Sequence, residues 1–146
     1  MTPAPSITLH NAQRKLRVDS KRLRQFSARA LPLCLKSESP ANDNLSALQE
    51  VNIVLVSDRR MAALHKQFMN IDGPTDVLTF QHGEIFISAE TAQQNAAEFA
   101  TSIEEEISLY IVHGLLHLRG LDDIAPRDAR RMNSMQQRIF AAAFSA

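Results

Sequence analysis

The sequence predicts an α+β, or mixed α/β, fold in which a small mixed sheet of about four strands is packed by about five helices. Two observations lead to this prediction. Short β-branched segments, of which VNIVLVS at 51–57 is the clearest, alternate irregularly with longer segments of helical periodicity. The chain has 146 residues and 45% hydrophobic content, which suits one compact core. We therefore expect residues 1–146 to form a single domain.

The first elements are a short strand, a basic helix and a loop. Residues 7–9 are apolar or β-branched and form a strand candidate. A helix follows from about 20 to 35, because apolar residues recur there at helical spacing. Its predicted inner face consists of Leu23, Phe26, Ala30, Leu31 and Leu33. Turn-forming residues then fill SESPANDNLS at 37–46, which predicts the clearest loop of the chain.

A buried strand and a second helix come next. Residues 51–57 are short and rich in β-branched side chains, which predicts a largely buried strand. Ser57 or Asp58 supplies a side-chain oxygen that caps the helix behind it. The side chains at helical spacing in that helix are Met61, Leu64, His65 and Phe68. The helix ends before IDGPTD, because Pro74 stops it there.

Two further strand candidates and a third helix follow. VLTF at 77–80 and EIFIS at 84–88 are joined by a short connection, which predicts paired strands or two sheet segments in sequence. A helix over about 89–100 comes after them.

Two helices complete the chain. Thr101 and Glu104 match a capping box, which predicts the start of a helix that runs to Arg119. Pro126 is well placed in the first turn of a last helix, which we expect to extend through about Phe144.

Charge and cysteine content limit the classes of partner. The formal net charge is zero, yet residues 14–36 are rich in Lys and Arg and contain one acid, Asp19. This basic segment suits a polyanion. The lone Cys34 fits a reducing compartment and reads as a small buried hydrophobe. No segment approaches the ~20 apolar residues of a membrane span, and the N-terminal residues lack an apolar signal-peptide centre. We expect a cytoplasmic protein without a membrane partner.

The stretch HGLLHLRGLDD at 113–123 is the strongest functional signal. His113 and His117 are four residues apart, so on a helix their imidazoles project from one face with Cβ atoms roughly 5–6 Å apart. One metal ion fits between them, but two ligands alone hold it weakly. Gly120 can take a positive φ, end the helix and turn the aspartates that follow back toward the imidazoles.

A simpler interpretation is that both histidines are packed core residues. The helix already has an apolar stripe, formed by Ile103, Ile107, Ile111, Leu115 and Leu118. His113 and His117 lie on another face, which favours metal binding over core packing. Gly114 stands where a zinc protease of the HExxH type carries its glutamate base, so peptide hydrolysis by that route is disfavoured.

Three segments together resemble the YbeY family of bacterial zinc-dependent endoribonucleases. HGLLHLRGLDD is similar to the family signature HGxLHLxGxDH, PTDVLTF at 74–80 to PTDVLSF, and GEIFIS at 83–88 to GDIxIS. The order of elements agrees over nearly the whole chain. The resemblance implies a zincin-like arrangement, one Zn²⁺ ion, no nucleotide cofactor, and action on ribosomal RNA precursors and the small ribosomal subunit.

Several residues depart from the family pattern. The third zinc ligand of the family is a histidine, and Asp123 stands at that position. A Tyr-Arg pair, whose arginine is implicated in catalysis, is replaced by Phe68 and Met69. Glu84 replaces an aspartate, and Gln136 stands where the last helix of the family often has glutamate. A carboxylate is still a legitimate zinc ligand, although it is shorter than histidine by roughly 2 Å.

The expected site follows from these residues. The predicted metal ligands are His113, His117 and Asp123. Because one ligand is a carboxylate, we expect weaker zinc binding or a changed metal preference. His113, His117 and Arg119 are the predicted catalytic residues, with Arg119, or else Arg59 and Arg60, as a substitute for the missing arginine. The basic helix is expected to bind the RNA backbone through Lys21, Arg22, Arg24 and Arg29, or else to be a solvated face.

Two functions remain open at this point. The first is a metal-dependent, single-strand-specific endoribonuclease in rRNA maturation and small-subunit quality control, in which metal-activated water attacks a phosphodiester. The second is a catalytically impaired relative that binds RNA or the ribosome as an assembly factor.

Overall fold

Four strands form one mixed sheet in a computed structural model that describes residues 3–38 and 43–145. The strands are β1 (Ser6–Asn11), β2 (Glu50–Val56), β3 (Val77–Phe80) and β4 (Glu84–Ser88). They lie in the order β1-β2-β4-β3. The β1–β2 and β2–β4 pairs are parallel, and β3 pairs with β4 in the antiparallel sense. Within the described ranges, β3 therefore forms one edge of the sheet.

Five helices surround this sheet in the described part of the chain. They are α1 (Ser20–Lys36), α2 (Asp58–Met69), α3 (Ala89–Phe99), α4 (Ile103–Leu118) and α5 (Pro126–Phe144). A short 3₁₀ turn, Leu45–Ala47, lies between α1 and β2. The predicted α+β fold, with its strand and helix order, is confirmed. Residues 39–42 of the predicted 37–46 loop, like 1–2 and 146, lie outside the described residues.

The two faces of the sheet carry separate apolar clusters because side chains alternate along a strand. Ile53, Leu55 and Ile85 point to one face, where they pack with α1, α4 and α5 in the main core. Leu78 points to the other face, where it packs against Met61 and its neighbours in α2. Helix α4 is buried on nearly every side, since it contacts α1, α3, α5 and the sheet.

The N-terminus of α4 differs from the prediction by one residue. Ser102, not Thr101, is the cap: its hydroxyl accepts from the Glu105 amide at 3.1 Å, and the Glu105 carboxylate accepts from the Ser102 amide at 3.2 Å. The carboxylate of Glu104, assigned to the box from the sequence, instead accepts a hydrogen bond from the Asp19 amide. The same T/S-x-x-E spacing occurs twice in succession, and tertiary contacts select the second.

Other boundaries agree with the prediction to within a few residues. Ser57 caps α2, and Pro126 begins α5. Phe68 is 54% exposed although its spacing placed it with the inner residues of α2, because it packs over the edge of the sheet against Phe80, with ring centroids 5.2 Å apart. Within the described ranges, no helix combines the length and the apolar composition needed to cross a bilayer.

Candidate metal centre and substrate groove

Helix α4 approaches the sheet closely at Gly114. A Cβ atom there would lie 2.9 Å from two methyl carbons of Ile85 and 3.2 Å from Oγ1 of Thr79. Real Cβ atoms do not make contacts as short as the first two. The missing side chain therefore lets α4 rest on β3 and β4, which brings the flanking His113 and His117 to the edge of the sheet.

Three side chains converge beyond this contact. The Nε2 atoms of His113 and His117 are 3.0 Å apart. Carboxylate oxygens of Asp123 lie 3.8 Å from Nε2 of His113 and 3.9 Å from Nε2 of His117. These donor atoms lie within 4.8 Å of one another, so they can surround one cation. We call His113, His117 and Asp123 the triad.

The loop after α4 brings Asp123 back to the helix. Gly120 has φ +102°, and its amide donates to the His117 carbonyl while the Leu121 amide donates to the Leu116 carbonyl. This pair of bonds is a Schellman ending, which reverses the chain and favours glycine at the positive φ. Asp122 faces a different group, since its carboxylate accepts from the Ile124 amide at 3.3 Å. Only the second aspartate of the pair reaches the imidazoles.

Gln136 fixes the orientation of one imidazole. Its Oε1 accepts a hydrogen bond from Nδ1 of His113 at 2.9 Å. With the proton on Nδ1, the neutral ring presents a lone pair at Nε2, the form that a metal requires. Because Nε2 of His113 then accepts a hydrogen bond, Nε2 of His117 is the donor in the 3.0 Å contact between the rings. A bound cation would displace the proton on Nε2 of His117.

The surroundings of His117 favour its neutral ring. Burial lowers the pKa of His117, and the neighbouring His113 lowers it further, while Asp123, a hydrogen bond with the Leu121 backbone and Asp122 raise it. Because desolvation is the largest of these effects, the metal-binding form of His117 persists to lower pH than in an exposed histidine. Proton competition with a metal is reduced accordingly.

The triad residues fit a divalent cation of the zinc class. In a tetrahedral zinc site with bonds of about 2.0–2.1 Å, ligand atoms are about 3.4 Å apart. The observed separations of 3.0, 3.8 and 3.9 Å lie on either side of that value. The shorter aspartate side chain therefore reaches the imidazoles, because the Schellman ending carries its backbone toward them. Two imidazoles and one carboxylate form a common three-ligand set that leaves a position open.

A groove lies beside β3 and includes two residues of the triad, His113 and His117. Met69 at the end of α2 and residues 77–81 also line it. Its lining includes no Lys or Arg among the described residues. Met69, which stands where the resemblance has an arginine, is 54% exposed there. Phosphate charge in this groove thus meets no fixed cationic side chain from the described part of the chain.

Arg119 occupies a different environment from the triad. Its guanidinium forms an ion pair with Asp43 and donates to the Ser37 carbonyl at 2.8 Å. The Asn44 amide donates to the Leu118 carbonyl at 2.9 Å beside it. These bonds fasten the segment before β2 to the end of α4. The structure does not bring Arg119 into the groove, in contrast to the expectation that it substitutes for the missing arginine.

Three of the four residues predicted to bind RNA also have intramolecular contacts. Nε of Arg24 donates to the Leu9 carbonyl at 3.2 Å, and Nε of Arg29 donates to the Ala143 carbonyl at 2.7 Å. The guanidinium of Arg22 lies 4.3 Å from the ring centroid of Phe144. Lys21 is exposed. Each arginine still has donors beyond those used, since a guanidinium carries five N–H groups.

Sequence reasoning missed the groove and the role of Gln136. A polar side chain on the inner stripe of α5, beside the buried Met132, Met135 and Ile139, was the available signal for Gln136. Buried polar groups need partners, so such a position predicts a hydrogen bond into the core. The groove has no comparable signal, because its lining residues come from α2, β3 and α4, which are far apart in sequence.

Comparisons with known proteins agree with this geometry. The family model described as Endoribonuclease YbeY matches residues 8–143. A protein of Heliobacterium modesticaldum with that description is 33% identical over 111 residues, which cover 62% of this chain and 67% of that one. A protein of Anaeromyxobacter with that description is 40% identical over 93 residues, 57% of this chain and 48% of that one.

Coverage of the relatives is uneven. A match in Myxococcus xanthus is 35% identical over 103 residues but covers 35% of that protein, so this chain aligns with about a third to two thirds of the curated relatives. Among solved structures, the solution structure of TM1509 from Thermotoga maritima has a TM-score of 0.67 and 27% identity, covering 95% of this chain and 89% of the other.

Proposed function

Because this chain belongs to the YbeY endoribonuclease family, as the match over residues 8–143 shows, we propose that it is a metal-dependent endoribonuclease that cleaves single-stranded RNA. The observation that carries the proposal is the convergence of His113, His117 and Asp123 beside an open groove. The family resemblance extends the proposal to ribosomal RNA precursors and small ribosomal subunits as substrates.

Each residue of the triad has a task that follows from its contacts. His113 and His117 would hold the ion through Nε2, with His113 kept in the correct tautomer by Gln136. Asp123 supplies the one anionic ligand. A divalent ion, with Zn²⁺ as the first candidate, would supply an acidified water and charge neutralisation for a phosphodiester. The groove beside the imidazoles leaves room for the RNA chain on that side.

The basic face of α1 supplies a binding surface for the RNA backbone in this proposal. Internal bonds through Nε hold Arg24 and Arg29 in place and leave their terminal N–H groups for phosphate. Such contacts are independent of sequence and weaken with salt. Replacing Lys21 with Ala should lower affinity and reduce the salt slope by about one unit. An unchanged slope would assign this face to solvation alone.

For Arg119 we propose a positioning role. It holds the segment with Asp43 against the end of α4, from which the triad loop departs. Arg119→Lys should therefore lower metal affinity and stability together, because lysine cannot reproduce a forked guanidinium contact. A residue that touched the phosphate would instead lower kcat and leave metal affinity unchanged.

The test combines elemental analysis with an RNA cleavage assay. The purified protein should contain a stoichiometric divalent metal, cleave a single-stranded oligonucleotide, and lose that activity on chelation. His117→Ala should abolish cleavage, while His10→Ala, an exposed histidine far along the sequence, should not. Cleavage that survives both the chelator and His117→Ala would refute the proposal.

A second function is favoured by one observation. Met69 lines the groove at the position where the resemblance has an arginine implicated in catalysis, so an RNA-binding assembly factor with an impaired site is the alternative. A metal-free protein that binds RNA in a salt-dependent manner without cleaving it would favour this second function.

A further inference from the structure

The outer edge of β3 faces the groove with backbone groups. The Ser88 amide donates to the Asp76 carbonyl at 3.0 Å, and the Gly83 amide donates to the Phe80 carbonyl at 2.9 Å. The register pairs Leu78 with Phe86 between them. In an antiparallel pair the direction of the backbone groups alternates from one residue to the next. Val77 and Thr79 therefore direct their N–H and C=O groups away from β4.

Thr79 is the residue whose pair of backbone groups is available. The Val77 amide is already used, because it donates to the carboxylate of Asp76 at 2.8 Å. Within the described ranges, no hydrogen bond outside the strand pair involves the amide or the carbonyl of Thr79. A donor and an acceptor therefore stand side by side in the wall of the groove, which also contains His113 and His117.

We propose that this groove is the subsite for an unpaired nucleobase next to the scissile phosphate, an inference that rests on the proposed function. The Watson–Crick edge of each of the four bases offers a donor beside an acceptor, so it can pair with the amide and carbonyl of Thr79. A base in a duplex has already used that edge. The subsite thus requires an unpaired base without selecting its identity.

The chemistry of the groove favours a base over other occupants. A phosphate is disfavoured because the described lining has no cationic side chain, whereas the half-exposed thioether of Met69 suits the flat face of a ring. An extended peptide needs a longer ladder than the Val77–Phe80 strand provides, since only Val77 and Thr79 face outward. The continuity of the groove with the triad places the base beside the phosphate that it accompanies.

Modified substrates test the subsite without altering the protein. The metal-loaded enzyme is given single-stranded oligouridylates that carry one N3-methyluridine at successive positions around a single cleavage point. The methyl group removes the donor of the Watson–Crick edge. One position should show a loss of about tenfold in kcat/KM, the worth of one hydrogen bond, while the other positions remain near the unmodified value.

Protein variants provide the second arm. Thr79→Pro removes the outward N–H at an edge position, where proline is tolerated, so it should lower kcat/KM for the unmodified oligonucleotide by about tenfold. The carbonyl that accepts from N3–H of uridine remains in this variant, so discrimination against the methylated base should persist. Thr79→Val keeps both backbone groups and should lose much less activity than Thr79→Pro. Met69→Ala should raise KM for every substrate, and Phe99→Ala, a change of another exposed apolar residue outside the groove, should not. If Thr79→Pro fails to fold, the series of N3-methyluridine substrates still tests the subsite on the natural protein.

The outcomes separate this inference from the proposed function. Cleavage that is equally fast with the methyl group at every position overturns the nucleobase subsite and leaves the endoribonuclease proposal intact. Absence of cleavage of any single-stranded RNA by the metal-loaded protein overturns both.

Discussion

Asp123 is the residue that most distinguishes this triad, because its carboxylate is half exposed and replaces the histidine of the family pattern. A carboxylate is a harder ligand than imidazole and suits zinc less selectively. We predict that Asp123→His binds Zn²⁺ more tightly than the natural protein, and that Asp123→Asn binds it more than tenfold more weakly. Competition against a chromophoric chelator measures both affinities.

The matched control for Asp123 is its neighbour. Asp122→Asn should leave zinc affinity nearly unchanged, because that carboxylate accepts from the Ile124 amide and does not reach the imidazoles. Equal zinc affinity in the natural protein and in Asp123→His would contradict the assignment of Asp123 as the weakening ligand.

Gln136 acts on the metal through His113. Gln136→Leu removes the acceptor of the Nδ1 hydrogen bond, so the tautomer that presents Nε2 to a metal loses its support. Loss of such an outer contact typically costs 10–100-fold in metal affinity, and we expect a loss in that range. Gln136→Glu should have the opposite effect, since an anionic acceptor raises the basicity of the ring.

The adjacent Gln137 offers the comparison for this variant. It lies on the exposed side of α5, so Gln137→Leu should bind metal like the natural protein. Equal losses in both variants, measured by the same chelator competition, would point to a general disturbance of the helix.

Helix α4 depends on its glycine at the contact with the sheet. Gly114→Ala gains about 1 kcal/mol in helix propensity but overpacks a contact that typically costs about 1–3 kcal/mol. The Ile85 methyl groups at 2.9 Å belong to a fully buried side chain of the central sheet, so they cannot move freely. We predict a net loss of up to about 2 kcal/mol in the free energy of unfolding, together with weaker metal binding.

A double-mutant cycle isolates this contact. Ile85→Val removes one of the two crowded methyl groups, so it should destabilise Gly114→Ala less than it destabilises the natural protein, with a coupling above about 0.5 kcal/mol. Urea denaturation of the four proteins gives the cycle. Additive losses would show that the overpacking lies elsewhere.

Packing of the folded molecule buries the thiol of Cys34. Cys34 is fully buried, and burial, partly offset by the nearby Arg119, raises the pKa of its thiol to about 12. Only the thiolate reacts with disulfide reagents, so at pH 8 the native protein should not react. Reaction should proceed at the rate of unfolding and become complete in denaturant. Immediate stoichiometric reaction in native buffer would show that the packing around α1 opens locally.

Much of this fold was predictable because its elements carry strong local patterns. The helical spacing in residues 103–118 and the β-branched run of 51–56 identify α4 and β2 without tertiary information. The start of α4 was wrong by one residue, since Thr101 and Ser102 both precede a glutamate at capping-box spacing. Packing decides between them: Glu106 turns inward and is 6% exposed.

The candidate site was predictable only where its residues are close in sequence. The His113 and His117 spacing and the positive φ of Gly120 are local properties. The ion pair between Arg119 and Asp43 was not predictable, because the two residues are far apart in sequence and only folding brings them together. The groove could not be predicted from the sequence for another reason. Outward backbone groups are chemically the same for any residue at a sheet edge.

A strand that leaves hydrogen-bonding groups uncovered also exposes the protein to self-association, because a second copy can extend the sheet there. Two features limit the pairing of a second copy with this edge. It is only four residues long, and the carboxylate of Asp76 covers the first outward amide. Asp76→Ala would uncover that amide and remove a negative charge from the border. The same shortness that suits the edge to one small ring also leaves few backbone groups with which a second copy could pair.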